Sequence, residues 1–461
     1  MNRDDIRRVL DESGVTPSRA LGQNFLTDEE AARRIVAHLA IAPGDCVVEI
    51  GPGTGALTEY AAPLCRKLIL VEFDTRLARY QKERWANAPH VEVHQADGAT
   101  WDPRPLFAER PVKLLGNLPY SAGGAILQNF LSLPSPITRA VLMLQKEFIG
   151  RMTAAPGEGA YGLLSLRIQK NWDIRALQTL PPEAFHPRPA IDSTVALLTP
   201  RDKSGEPTYD DRLLDALMRR GFSQRRKQLH KQMPAAPLWA DVAARLKIPP
   251  AARAEELSLP QWIELARAYD SHPLAQIPQK DDELFDVVDA EDRVLGQATR
   301  REVHIRGLMH RAIHILVFNK HRDCLLQKRS RLKDRHPGVW DSSAAGHVDA
   351  GEDYDTAARR ELEEELGIRP ERLIRIAKLS PCPENGWEHV VLYAASHAEG
   401  AISFPASEIE TVTPFPPSVI TRWLARSPED FAGSFPPCWE AASPLIFRGE
   451  PQRDTPSEGR E

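Results

Sequence analysis

The sequence predicts two unlike α/β units joined by a short polar segment. Three observations carry this: a length of 461 residues, a strand–helix alternation built around a glycine-rich turn, and a break in charge near residue 270. At roughly 100–200 residues per domain, the chain is too long for one ordinary core and suits two or three. Hydrophobic residues make up 42% and charged residues 27%, the profile of a globular chain with real cores.

The charge break is read by dividing the chain. Residues 1–270 hold 35 Lys+Arg and 32 Asp+Glu, which leaves 24 and 32 of the chain's 59 and 64 for the remainder. A net of +3 beside a net of −8 points to modules with different partners. The stretch 271–282 is polar and twice interrupted by proline, so it reads as a linker. The tail 448–461 has almost no apolar residue and is expected to be disordered. No run approaches the roughly 18 apolar residues of a membrane span, and the polar N-terminus MNRDDIRRVLDESG is no signal peptide. The five cysteines (Cys46, Cys65, Cys324, Cys382 and Cys438) are scattered without a CxxC pair. A reduced cytoplasm is the expected compartment, with no membrane partner.

In the first half the apolar run 45–50 ends in Gly51-Pro-Gly-Thr-Gly55, followed by a helical pattern over 56–64. Further strands are expected at 67–71, 91–95, 112–115 and 140–144. Strands separated by helices at this spacing indicate a doubly wound sheet with its ligand at the carboxyl ends of the strands. Gly51, Gly53 and Gly55 let the backbone approach that ligand closely. Glu72 closes the second strand, where a carboxylate can accept two ribose hydroxyls. Alone, these features fit a dinucleotide loop as well. Asp97-Gly98 after the third strand, where an adenine amine could be held, and Asn117-Leu118-Pro119-Tyr120 after the fourth decide against it.

The Asn-Leu-Pro-Tyr run suits a specific task. An adenine exocyclic amine is a poor nucleophile because its lone pair is delocalised into the ring. Acceptors on both protons, the Asn117 side-chain carbonyl and the Leu118 backbone carbonyl, can localise that lone pair. Pro119 stiffens the turn. Tyr120 offers a face for an extruded base, worth about 1–3 kcal/mol.

With these motifs in place, residues 16–268 resemble the ribosomal RNA adenine dimethyltransferases, which modify two adjacent adenosines near the 3′ end of 16S RNA. Leu21-Gly-Gln-Asn-Phe-Leu26, Leu144-Gln-Lys-Glu-Phe148, Phe185-His-Pro-Arg-Pro189 with Asp192-Ser193, and the block from Gly221 to Leu229 share in the likeness. The resemblance implies a Rossmann-like class I methyltransferase over 1–205 and a helical RNA-binding lobe over 206–270. It implies S-adenosylmethionine as cofactor, held by Gln23, Asn24, Leu26, Gly51, Gly53, Glu72, Asp97, Gly98 and Asn117. It makes Phe185 a second stacking surface for the target base. Ser121-Ala-Gly-Gly124 departs from the polar run common after the motif, which bears on the pocket rim. Arg219, Arg220, Arg225, Arg226, Lys227 and Lys231 place six positive charges in thirteen residues with no acid between them. Beside a base-methylating site they are expected to bind phosphates of the immature small ribosomal subunit. The contrasting reading is an RNA-binding or assembly module without catalysis.

The second half carries GHVDAGEDYDTAARRELEEELGI from Gly346. It fits the Nudix pattern at every fixed position and resembles that superfamily, which implies an α/β/α domain over 283–447. Asp355 or Thr356 is expected to cap a helix that ends at Gly367. Glu361, Glu364 and Glu365 fall at i, i+3 and i+4, so their carboxylates share one face. With Gly346 they form an expected site for Mg²⁺ or Mn²⁺, hard ions that bridge oxygen ligands to substrate phosphates. Glu364 and Glu365 are the candidate catalytic carboxylates in hydrolysis of a small-molecule diphosphate. Glu352 and Arg360 are expected to orient loop and helix, and Arg329 and Lys333 to meet the diphosphate. Phe285-Asp-Val-Val-Asp289, His310-Arg311, Lys333-Asp334 and Pro337-Gly-Val-Trp340 resemble the branch nearest isopentenyl diphosphate isomerase. That isomerase needs a cysteine where this chain has Ala345, which favours hydrolysis. Isomerisation and a diphosphate sensor without turnover are the alternatives.

Overall fold

The computed structural model describes residues 1–18, 22–271, 274, 281–397 and 400–447. Leu21, most of the expected linker and the expected tail 448–461 lie outside the described residues. The chain divides into two compact units, Met1–Pro273 and Leu274–Glu461. Among the described residues no helix is long and apolar enough to cross a membrane.

The first unit contains β1 (Phe25–Leu26), β2 (Cys46–Ile50), β3 (Lys67–Glu72), β4 (Val91–Gln95), β5 (Val112–Asn117), β6 (Ile137–Gln145), β7 (Trp172–Leu180), β8 (Phe185–His186) and β9 (Ser193–Pro200). Seven of them form one sheet in the order β4-β3-β2-β5-β6-β9-β7. The pairings from β4 to β6 are parallel, and β9 runs antiparallel to β6 and β7. Every residue of β2 is buried, and alternate positions feed different cores. Cys46, Val48 and Ile50 pack with Leu114 and Phe130 on one face, while Val47 packs with Leu68 and Ile35 on the other. Burial on both faces is why this strand reads as a continuous apolar run. The helical pattern at 56–64 is cut short. It forms a helix over Thr58–Ala61 and a 3₁₀ turn over Ala62–Leu64, because Pro63 has no N–H to continue the ladder.

Helices Asp211–Phe222, Trp239–Arg245 and Leu259–Tyr269 surround a separate core that contains the fully buried Trp262. Gly221 is demanded by this packing, since a Cβ there would lie 2.5 Å from Trp262 Cη2.

The second unit contains β10 (Leu284–Val288), β11 (Val294–Thr299), β12 (His310–Phe318), β13 (Cys324–Arg329), β14 (Trp340–Asp341), β15 (Ala344–His347), β16 (Leu373–Leu379), β17 (Glu388–Ser396) and β18 (Ile409–Phe415). β10 and β11 make a hairpin, and the rest form a seven-stranded sheet in the order β14-β13-β12-β17-β16, with β15 on β12 and β18 on β13. Only the β12–β17 pairing within that sheet is parallel. Helix Tyr354–Leu366 buries Ala357, Ala358, Leu362 and Leu366 against Ile313, Ile315 and Val391. It ends on Gly367 in the left-handed conformation, as its position demands. Its cap corrects the expectation of Asp355 or Thr356. Asp353 Oδ1 accepts the N–H groups of both those residues at 2.9 Å. The Asp355 carboxylate instead takes the Tyr393 hydroxyl, so it is unavailable to the helix end.

Candidate active sites

The glycine turn after β2 and the ends of β3, β4 and β5 meet at one cavity of about 220 Å³. Gly51, Gly53 and Gly55 all have positive φ. At Gly53 a Cβ would come within 2.8 Å of Phe25 Cε1, so the turn and β1 approach each other only through glycine. Glu72 spans the turn: Oε2 accepts from Gly53 N and Oε1 from Asp74 N, each at 2.9 Å. Burial raises its carboxyl above the usual range. Each Glu72 oxygen retains a further lone pair toward a ligand. Asp74 in turn accepts from the Gln23 amide at 3.2 Å.

Gln23, Asn24, Gly51, Gly53, Glu72, Asp97, Gly98, Asn117 and Pro119 all line this cavity. Asn117 Nδ2 donates to the Asn24 carbonyl at 2.8 Å, and no donor among the described residues takes its Oδ1. The amide is thereby fixed with its acceptor end spare. Leu118 is buried, its N–H bonded to the Met143 carbonyl at 3.0 Å. Tyr120 is half-buried, and its hydroxyl lies 2.7 Å from Ser193 Oγ on β9.

Four expected residues do not line the cavity: Leu118 and Tyr120 of the Asn-Leu-Pro-Tyr turn, and Leu26 and Phe185. Leu26 pairs in β1 with Phe185 in β8, and both side chains are buried in the core beneath the turn. Leu26 therefore does not line the cavity, and its neighbour Phe25 does. Phe185 is 0% exposed and has no open face, so it is a core residue and not a stacking surface.

The six basic residues also separate. Helix Asp211–Phe222 ends before Arg225, so the charges do not share one helix face. Arg219 pairs with Asp215 and Arg225 with Glu255, each at 2.6 Å, and Arg220 bonds the Met233 carbonyl at 3.3 Å. Arg226, Lys227 and Lys231 are exposed and line one shallow groove with Arg253.

In the second unit a larger cavity, about 460 Å³, is bordered by Glu361, Glu364 and Glu365 of helix Tyr354–Leu366. Glu361 sits over Gly346, where a Cβ would fall 2.2 Å from its Cδ. Arg360 grips both oxygens of Glu352, at 3.1 and 2.9 Å, and reaches Glu361 at 2.7 Å and the His347 carbonyl at 3.2 Å. Loop, strand and helix are thus tied through one guanidinium. Glu365 accepts from Ala345 N at 3.0 Å. Burial, then repulsion from Glu365, pushes Glu361 up to about 8, and burial raises Glu365 too. Such a crowded carboxylate set fits a divalent cation, which would remove the repulsion. Arg300, Arg329, Lys333 and Arg335 also line the cavity.

Comparison with known proteins agrees with this geometry. The family model described as "Ribosomal RNA adenine dimethylase" matches residues 16–271. The chain belongs to the ribosomal RNA adenine dimethylase family. Residues 308–431 match the NUDIX domain model. A "Ribosomal RNA small subunit methyltransferase A" of Geobacter metallireducens is 37% identical over 265 residues, covering 55% of this chain and 96% of that protein. One of Oleidesulfovibrio alaskensis is 38% identical over 278 residues, covering 58% and 97%. A solved dimethyladenosine transferase from Plasmodium falciparum aligns at 25% identity and a TM-score of 0.45, covering 52% of this chain and 95% of that one. The dimethylase unit is thus a Rossmann-like methyltransferase of a family that uses S-adenosylmethionine, and a Nudix unit follows it.

The Nudix unit also holds a cluster that motif reading missed. His304, His310 and His347 bring one ring nitrogen each within 4.8 Å of one another. Glu388 Oε1 lies 3.6 Å from His310 Nε2 and 3.5 Å from His347 Nε2. His304 Nε2 and His310 Nε2 are buried without a hydrogen-bond partner. Burial, then the neighbouring His347 and Arg335, drives His304 down to about 3. Against its burial, His310 and His347 hold Glu388 well below the usual carboxylate range. Three imidazoles beside a carboxylate are a donor set that suits a divalent transition-metal ion. The only sequence signal was three histidines at irregular spacing, which matches no short motif.

Proposed function

We propose that the chain carries two activities: dimethylation of N6 on two adjacent adenosines near the 3′ end of 16S ribosomal RNA, and metal-dependent hydrolysis of a small-molecule diphosphate. For the first, the carrying observation is the Asn117–Asn24 bond. With one N–H held by the Asn24 carbonyl, the Asn117 amide is oriented so that its Oδ1 is left to accept from the incoming amine. The Leu118 carbonyl supplies the second acceptor, so both amine protons are held and the lone pair is localised. Tyr120, oriented by Ser193, is the proposed stacking face for the base. Glu72, Asp97, Gly98 and the glycine turn bind the cofactor, with Gln23 and Asn24 covering it. S-adenosylmethionine supplies the methyl group when bound. Arg226, Lys227 and Lys231 hold RNA phosphates of the immature small subunit, while Arg219, Arg220 and Arg225, engaged by Asp215, the Met233 carbonyl and Glu255, are left a minor share. Methylation of immature subunits by an Asn117→Ala variant tests the reading, since undiminished methylation would favour an RNA-binding module without catalysis.

For the second activity, Gly346, Glu361, Glu364 and Glu365 would hold Mg²⁺ or Mn²⁺. The ion would neutralise a diphosphate and activate water. Glu364 and Glu365 are the groups proposed to take the water's proton, while Arg329 and Lys333 meet the phosphates. No cysteine lines the cavity among the described residues, which supports hydrolysis over isomerisation. Phosphate release lost in Glu364→Gln would support turnover, and unchanged release would refute the assignment.

A further inference from the structure

We propose that the Nudix unit acts on a compact, hydroxyl-rich and multiply anionic diphosphate, a phosphorylated sugar or polyol, in preference to a nucleoside or prenyl diphosphate. This rests on the hydrolase reading above and adds the chemistry of the attached group.

The walls of the 460 Å³ cavity decide what that group can be. Among the described residues its only apolar side chains are those of Ala312, Ala345, Ala432 and Pro405. A prenyl tail gains affinity by leaving water for aliphatic or aromatic surface, and nothing here supplies it. A nucleobase needs a broad aromatic face, and among the described residues no phenylalanine, tyrosine or tryptophan lines the cavity, whose ring-bearing side chains are imidazoles. Trp340, Phe415, Trp423, Phe431, Phe435 and Trp439 pack on one another in an unbroken internal chain. Phe285 is covered by the His310 and His347 rings.

Carboxylates outnumber cations on the cavity wall, so an additional anionic group on the substrate needs a cation that is not already paired. Arg300 is paired with Asp334 at 2.9 Å, Arg329 with Asp341 at 3.0 Å and Lys333 with Glu408. Arg335 differs. Its guanidinium meets His304 Nδ1 at 3.1 Å, and no carboxylate among the described residues pairs with it. The guanidinium is seated against Gly386, where a Cβ would come within 3.0 Å of both terminal nitrogens. A half-buried, positioned guanidinium on a cavity wall without a counter-ion suits a phosphate beyond the scissile diphosphate. Ser407, Ser434 and Glu384 on the same cavity offer partners for sugar or polyol hydroxyls.

The test uses the full chain with Mg²⁺ and four probes: ribose 5-phosphate 1-diphosphate, ADP, UDP and isopentenyl diphosphate. The sugar compound should be hydrolysed with a kcat/KM at least ten times that of the others. Arg335→Gln should raise its KM about tenfold with kcat nearly unchanged, and Arg335→Lys should recover most of the loss. Calorimetric titration in a Glu364→Gln background should show the same tenfold loss on Arg335→Gln, with an unchanged unfolding midpoint. Preferred turnover of ADP, UDP or isopentenyl diphosphate would overturn the substrate class and leave the hydrolase reading standing. Tight binding of the sugar compound without hydrolysis would uphold the class and overturn turnover. Failure of every probe to bind or react would overturn both.

Discussion

The Tyr120 hydroxyl and Ser193 Oγ lie 2.7 Å apart, joining the end of the Asn-Leu-Pro-Tyr turn to the first residue of β9. Ser193 is buried, so the bond holds the tyrosine hydroxyl from the protein side. Ser193→Ala is expected to lower stability by about 1 kcal/mol, the net worth of one such bond. It should lower the methylation rate several-fold, with Tyr120→Phe producing a matching loss. Single-turnover methylation of immature subunits checks this, and a normal rate in both variants would release Tyr120 from its role.

Asn117→Ala removes the spare acceptor and also strips the Asn24 carbonyl of its donor. Removing one preorganised hydrogen-bonding group from a reaction centre costs roughly 100-fold or more in rate. Methyl transfer should fall by at least that factor. Cofactor affinity, measured by calorimetry, should weaken far less, because Glu72 and the glycine turn remain.

Arg226, Lys227 and Lys231 share the shallow groove and lack the short carboxylate pairs of Arg219 and Arg225. Each phosphate contact contributes about 0.7–0.9 to the slope of log affinity against log salt. Replacing all three by alanine should reduce that slope by about 2–3 in RNA titrations. Replacing Arg219 should change it little.

Gly346→Ala would drive a methyl group into the Glu361 carboxylate, which sits 2.2 Å from the Cβ position. Metal-dependent hydrolysis should be lost, while methylation in the same preparation stays at the wild-type level. Parallel loss of both activities would show coupling between the two units.

Glu49 on β2 is buried, and burial together with the nearby Glu72 carries it from an ordinary 4.5 to about 8. A carboxyl raised in the folded state contributes stability that is complete below pH 4.5 and lost as pH rises through about 8. Denaturant titrations of wild type between pH 5 and 9 should show this decline. Glu49→Gln should flatten it and gain on wild type toward pH 9, and equal slopes would refute the assignment.

Most of both sites was legible because the relevant residues lie in contiguous runs. A glycine turn, an Asn-Leu-Pro-Tyr turn and a helix with carboxylates at i, i+3 and i+4 carry their geometry in local spacing. Chain order likewise specified the strands at 46–50, 67–72 and 91–95, since burial on one or both faces leaves a readable apolar pattern. The β1–β8 pairing was not legible, because it joins residues about 160 apart in sequence. Only that pairing decided that Phe185 and Leu26 are core, whereas Phe25 reaches the cofactor cavity. Asp353 displaced Asp355 as helix cap because Tyr393, distant in sequence, takes the Asp355 carboxylate. The basic run held six charges, and the fold neutralised two through Asp215 and Glu255. The His304–His310–His347 cluster, an Arg335 without a carboxylate partner among the described residues and the scarcity of apolar side chains on the cavity wall are products of strands and loops meeting in space. The sequence by itself determined which chemistries the chain carries, because those motifs are local; tertiary structure decided which side chains remain available for them, because burial and pairing depend on partners far away along the chain.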